Sequence, residues 1–171
     1  KGDTTMGQYH VTVNLTKREF LYPHTLGCGL KLLEQVDTVA GIPTALMVLL
    51  ACSNGRGGGD FTEYDECPNI IGRWAGDRIA VVGDYAEDSD LAPEDHAHNI
   101  FDLCMNETER DLGVEKENHA LYLDITPLVA TYLERLLQIK YEGTGWRQVR
   151  DHQGKKYIPP MHPDMVITSN L

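Results

Sequence analysis

No apolar run in this sequence exceeds the eight residues Ala45 to Cys52, far short of the roughly 20 a membrane-spanning helix needs. No basic start with an apolar signal core precedes it, so a soluble, cytoplasmic protein is expected. Paired cysteine motifs are missing too. Cys28, Cys52, Cys67 and Cys104 are widely spaced, with no Cys-x-x-Cys and no His at zinc-finger spacing, which argues against a zinc finger. A chain of this size does not need disulfides, so reduced thiols are expected, with Cys52 buried as a small hydrophobe. Internal repeats are absent, which removes fibrous designs. Basic residues are scarce: 15 Lys and Arg face 26 Asp and Glu, a formal charge of −11.

What is present fits one globular domain. The chain has 171 residues, 42% hydrophobic and 24% charged, long enough to bury roughly two-thirds of the surface its unfolded form exposes. Residues 1–5 read as a tag remnant or the end of an upstream segment, because Met6-Gly7-Gln8 resembles a natural start; the domain is placed at 6–171. Charge is unevenly distributed along it. The window 60–95 holds eleven acids against Arg73 and Arg78, and so carries −9 of the −11. Such a field attracts basic partners and makes direct nucleic-acid binding there unfavourable.

Tyr9, Val11, Val13 and Leu15 alternate with polar residues, the pattern of a half-buried strand. After the polar patch Thr16 to Glu19, Phe20-Leu21-Tyr22 completes a predicted β-hairpin ending at Pro23. Leu30, Leu32, Leu33 and Val36 suggest a short helix. Pro43 suits a helix start and Asn54-Gly55 its end, so Ile42 to Ser53 is predicted helical and, being apolar on every side, buried at the centre of the core. Residues 54–72 and 87–95 read as loops, Arg78 to Val82 as a strand and Ile100 to Met105 as a short helix. Ala120 to Ile125 alternates like a strand, and Thr126-Pro127 opens an amphipathic helix with the Thr126 hydroxyl as its cap. A last strand is expected at Met165 to Thr168. Without regular βαβ alternation the fold class is α+β, with a mixed or antiparallel sheet.

Several stretches together resemble a family of small proteins encoded by bacteria and their phages that has no established activity. They are Met6-Gly7-Gln8-Tyr9, Val13-Asn14-Leu15 with Lys17 and Glu19, Pro23-His24, Leu30 to Glu34, Asn54-Gly55-Arg56-Gly57-Gly58-Gly59-Asp60, and Gly72-Arg73-Trp74-Ala75-Gly76-Asp77-Arg78-Ile79 followed by Gly83-Asp84-Tyr85. The resemblance covers about the first half of the chain. It implies an accessory protein and carries over no catalytic residues or cofactor.

Two of these stretches invite chemistry. In Asn54, Gly55, Arg56, Gly57, Gly58, Gly59 and Asp60 the glycines allow backbone N–H groups to converge on an anion with Arg56 as a clamp. No Lys-Ser/Thr follows, so this is not a P-loop, and the alternative is a helix end running into a surface loop. In the second stretch Trp74 can stack on a ligand ring while Asp77, Arg78, Asp84 and Tyr85 face it; alternatively Trp74 is core and Asp77 and Arg78 form structural pairs. The acidic run Asp84, Glu87, Asp88, Asp90, Glu94 and Asp95 invites a calcium reading but lacks EF-hand spacing, so a solvated loop is expected. His96 and His98 form a close pair without a third metal ligand, and His24 is a candidate base for Ser53 or Cys28. Lys140, Arg147, Arg150, Lys155 and Lys156, interleaved with Tyr141, Trp146 and Tyr157, form a basic and aromatic segment able to meet the acidic window.

Two functions follow as expectations. One is a regulatory or binding module that engages a basic protein partner through the 60–95 face. The other is an enzyme or sensor that holds a phosphorylated or nucleotide-like molecule between the glycine loop 54–60 and the strand 74–85.

Overall fold

A computed structural model of the chain describes residues 7–56, 60–105, 122–141 and, for the backbone alone, 149–151. The expected hairpin is there. Strand β1 (His10–Asn14) pairs antiparallel with β2 (Glu19–Leu21), Val13 opposite Phe20. On its other side β1 pairs antiparallel with β3 (Ile79–Gly83), Val11 opposite Val82. The two-residue strand β4 (Leu123–Asp124) joins β2 in parallel, giving the order β3-β1-β2-β4. Ile139–Tyr141 (β5) and Val149–Asp151 (β6) form a separate antiparallel pair. Helices and a mixed sheet make this an α+β domain, as the sequence suggested.

Both faces of β1 are covered from Val11 to Asn14, so these four residues are all buried rather than alternately exposed. Val11, Val13, Phe20 and Val82 point to one side, where they meet Ile100, Leu103 and Cys104 of α3 (Ala97–Met105). Leu21 points to the other, against α2 (Ile42–Leu50) and α4 (Thr126–Leu137). The polar residues between them, Thr12 and Asn14, are fully buried. Alternation therefore marked two packed faces rather than a wet and a dry one.

Short α1 (Leu32–Val36) is turned inside out relative to its apolar pattern. Leu33 is 78% exposed and Leu32 and Val36 are also exposed, while Gln35 is buried. Burial there meets a backbone need. The Gln35 carboxamide donates to the His10 carbonyl at 2.8 Å, an acceptor that would be costly to leave unpaired, and to the Leu30 carbonyl at 2.9 Å, which also takes the His10 N–H.

Helix α2 sends Ile42, Ala45, Val48 and Leu49 into the core, and exposes Met47 and Leu50. It stops at Leu50, three residues before its expected end, for a non-local reason. The Gly72 N–H donates to the Val48 carbonyl at 2.9 Å and the Trp74 N–H to that of Leu49 at 2.8 Å. These bonds satisfy carbonyls a helix end leaves open and let Ala51 turn to an extended conformation. Cys52, expected to be buried, is consequently exposed on the departing chain; Cys28, Cys67 and Cys104 are buried, and all four are free thiols.

The Thr126 hydroxyl, expected to cap α4, instead accepts the Tyr22 N–H at 2.6 Å and bonds to Asp124, whose carboxylate takes the Thr126 N–H at 2.9 Å. No described helix is long and apolar enough to cross a membrane. The expected strand at 165–168 lies outside the described residues.

Candidate functional site

Two polar stretches distant in sequence, the hairpin 14–19 and the turn 72–77, meet in space. The hairpin offers Asn14, Lys17 and Glu19; the turn 72–77 offers Arg73, Trp74 and Asp77. Glu19, 5% exposed, accepts from Arg73 Nε at 2.9 Å, Arg73 Nη2 at 2.5 Å and Trp74 Nε1 at 2.7 Å. Asp77 accepts from Asn14 Nδ2 at 2.7 Å and pairs with Lys17, whose Nζ also donates to the Arg73 carbonyl at 2.7 Å. The Arg78 N–H donates to Thr16 Oγ1 at 3.0 Å. This network fastens the hairpin tip to the turn that also ends α2.

Each charged side chain in it has a partner within the fold. A carboxylate taken this far out of water needs such compensation, and Arg73 and the indole N–H supply it. The two donors beside Asp77 hold its carboxyl below the usual carboxylate value. Its folded pKa is thus lower than its unfolded one, so its contribution to stability is complete above the ordinary value of 3.8 and fades as pH falls through the folded value. Asp77→Asn should flatten the fall in melting temperature below about pH 4, and an unchanged acid limb would count against the pairing.

Glycine is required at one point of this turn. Gly72 has φ +72°, and a Cβ there would sit 2.6 Å from the Ala51 carbonyl oxygen; Gly76 has φ +82° but open space around it. Gly76→Ala should cost roughly 1–2 kcal/mol for the left-handed backbone alone. Gly72→Ala adds a backbone collision, and should lower the melting temperature at least twice as far. Equal effects would contradict the close approach.

The remaining candidates from the sequence are dispersed. Trp74 is fully buried in the core among α2 and α4 residues, so its ring has no face open to a ligand. Arg78 leaves the turn and forms a two-point pair with Asp95, at 3.1 and 2.5 Å. Asp84, beyond the opposite end of β3 from Asp77, accepts the Tyr9 N–H at 3.0 Å, and Tyr85 is exposed. In the glycine loop Asn54 donates to the Phe61 carbonyl at 3.1 Å, Arg56 and Asp60 are exposed, and Gly57, Gly58 and Gly59 lie outside the described residues.

The acidic window is divided by the sheet. Phe61 and Tyr64 pack with the α2–α4 core, and Glu66 pairs with Arg135 of α4. Ala86 and Leu91 pack instead with the α3 side. There Glu87, Asp88, Asp90 and Glu94 are exposed, while Asp95 is drawn in by Arg78. Asp88 Oδ1 lies 2.6 Å from His98 Nδ1, and that neighbour is the main reason its pKa is lowered. Asp90 accepts the Glu87 N–H at 2.9 Å, which holds the turn in shape.

Of the close pair His96 and His98, His96 sits in a left-handed conformation just before α3 and His98 in its first turn. Among the described residues no three His, Cys, Asp or Glu side chains gather where a metal ion could sit. His24 Nδ1 lies 3.1 Å from the Cys28 carbonyl, while the Cys28 thiol faces the Leu26 carbonyl at 3.6 Å and burial pushes its pKa up, a poor setting for a nucleophile. Of the basic and aromatic segment, Lys140 and Tyr141 lie in β5, where the Tyr141 hydroxyl donates to the Ala40 carbonyl at 2.5 Å, and Arg150 lies in β6; Arg147, Trp146, Lys155, Lys156 and Tyr157 lie outside the described residues. No protein-family model, curated protein or solved structure matches the chain.

Sequence reasoning missed Glu19 as the hub of the network. Glu19 stands where the polar turn passes into β2, and nothing local indicated that Arg73 and Trp74 would answer it.

Proposed function

We propose that the chain is an accessory protein, of the bacterial or phage kind its motifs resemble, that engages a basic protein partner through Glu87, Asp88, Asp90 and Glu94. The observation that carries this reading is a contrast in how carboxylates are used. Asp77, Asp95 and Glu19 are drawn in by Lys17, Arg78 and Arg73, whereas these four acids stand exposed on one short segment beside α3, where Asp88 and Asp90 make only local contacts with His98 and the Glu87 N–H. Exposed charges of one sign steer oppositely charged partners and set association rates.

The ligand-binding alternative at 54–60 and 74–85 has less support. It requires Arg56, Trp74, Asp77 and Asp84 to converge; the Trp74 ring is buried, and the two aspartates are engaged beyond opposite ends of β3. The glycine loop also follows the C-terminal end of α2, where the helix dipole disfavours an anion. Capture of a partner from host lysate tests the proposal. Recovery should be clear at low salt and fall steeply as salt shortens the screening length from about 30 Å at 0.01 M to about 3 Å at 1 M. Recovery of nothing at either salt would refute it.

A further inference from the structure

Among the described residues the four-stranded sheet ends at β3. Among the described residues β3 pairs only with β1. The Asp84 N–H donates to the Tyr9 carbonyl, and the Leu15 N–H to that of Arg78. By the alternation of an antiparallel ladder, Ala80 and Val82 also turn their backbone groups toward β1, while Ile79 and Val81 turn theirs out of the sheet. Natural edge strands are commonly blunted by charge, proline or bulges. Ile79-Ala80-Val81-Val82-Gly83 contains no charge or proline, and Val81 is 48% exposed. Beside it lies a cleft of about 200 Å³, bordered by Val81, Leu91, Ala97 and the carboxylate-bearing Asp90.

Building on the proposed function, we propose that the partner contributes an extended basic segment that adds as a strand to the free edge of β3. Strand addition takes its affinity from main-chain hydrogen bonds and its specificity from side chains met on alternate positions. Here the outward N–H and C=O groups of Val81 supply the first. The carboxylates of Glu87, Asp88 and Asp90 supply the second, and favour Lys or Arg at alternate positions. A second copy paired edge to edge through its own β3 is a poor occupant, since that symmetric contact would bring the same acids face to face. Charge complementarity selects the basic segment.

The probe is a synthetic peptide of alternating lysine and valine, titrated against the full chain at low salt. Its control has the same charge but proline in place of valine, which removes alternate N–H donors and holds a polyproline conformation. The lysine–valine peptide should bind at least ten-fold more tightly. Val81→Pro removes only an outward donor, at an edge position where proline is tolerated, and should weaken binding by a similar factor. If that variant does not fold, the peptide pair on the unaltered chain decides. Equal binding of both peptides would overturn strand addition while leaving the acidic surface as the docking element. Binding of neither peptide would also overturn it, whatever the lysate recovers. Preferential binding of the lysine–valine peptide that neither salt nor neutralisation of Asp88 and Asp90 weakens would remove the basic character of the segment, and with it the reading on which this inference rests.

Discussion

Glu19→Ala should lower the melting temperature by roughly 6–12 °C. The carboxylate is buried and receives four hydrogen bonds from Arg73 and Trp74 at 2.5–3.2 Å. Breaking a buried pair by removing one partner typically costs about 3–5 kcal/mol, because the other charge is left uncompensated. The Arg73 side chain is 27% exposed and can turn toward water, which places the loss near the lower figure. At about 2–4 °C per kcal/mol for a chain of this length, about 3 kcal/mol gives that shift. Glu19→Gln keeps the shape and one acceptor, so it should fall between the unaltered protein and Glu19→Ala. Thermal unfolding followed by circular dichroism is sufficient. A shift under about 2 °C for Glu19→Ala, well below the range just derived, would mean that the network does not hold the hairpin to the turn.

Trp74→Ala should be at least as damaging, for a different reason. The indole is fully buried among Leu21, Leu49, Val129 and Leu133, and large-to-small changes at such a site cost about 3–5 kcal/mol through lost transfer energy and the cavity left behind. Trp74→Phe separates packing from hydrogen bonding. It keeps most of the apolar volume, but removes the donor to Glu19, and should cost about 1–2 kcal/mol. If Trp74→Ala melted with the unaltered protein, the indole would have to be a free surface group, and a ligand-stacking role would regain its footing.

Much of the fold was legible in the sequence because it is written locally. The hairpin follows from alternation on either side of a polar turn, and α4 from a helical period that begins at Thr126-Pro127. What was illegible depends on distant partners. The end of α2 is set by N–H groups of Gly72 and Trp74, more than twenty residues later in the chain. The inward turn of Gln35 answers carbonyls of His10 and Leu30 rather than any feature of its own helix.

The candidate site was legible only as a choice between two readings. Asp77, Arg78 and Asp84 carry the residue types of a ligand site and of ion-paired turns alike, and only their neighbours Lys17, Asp95 and Tyr9 distinguish these. The concentration of acids was visible at once. That the sheet separates Glu63 to Glu66 from Glu87 to Glu94 was not, because charge along a chain does not report which layer each loop joins.

The central functional claim is that the acids beside α3 dock a basic partner. The most direct test reverses three of them together, Glu87→Lys, Asp88→Lys and Asp90→Lys, and measures partner capture from host lysate and melting temperature on the same preparation. All three side chains are exposed, and the reversal removes only surface contacts, the Asp88–His98 pair and the bond from the Glu87 N–H to Asp90, which contribute little in water. The account predicts that capture is lost while melting shifts by only a few degrees. Undiminished capture by the folded triple variant would contradict it.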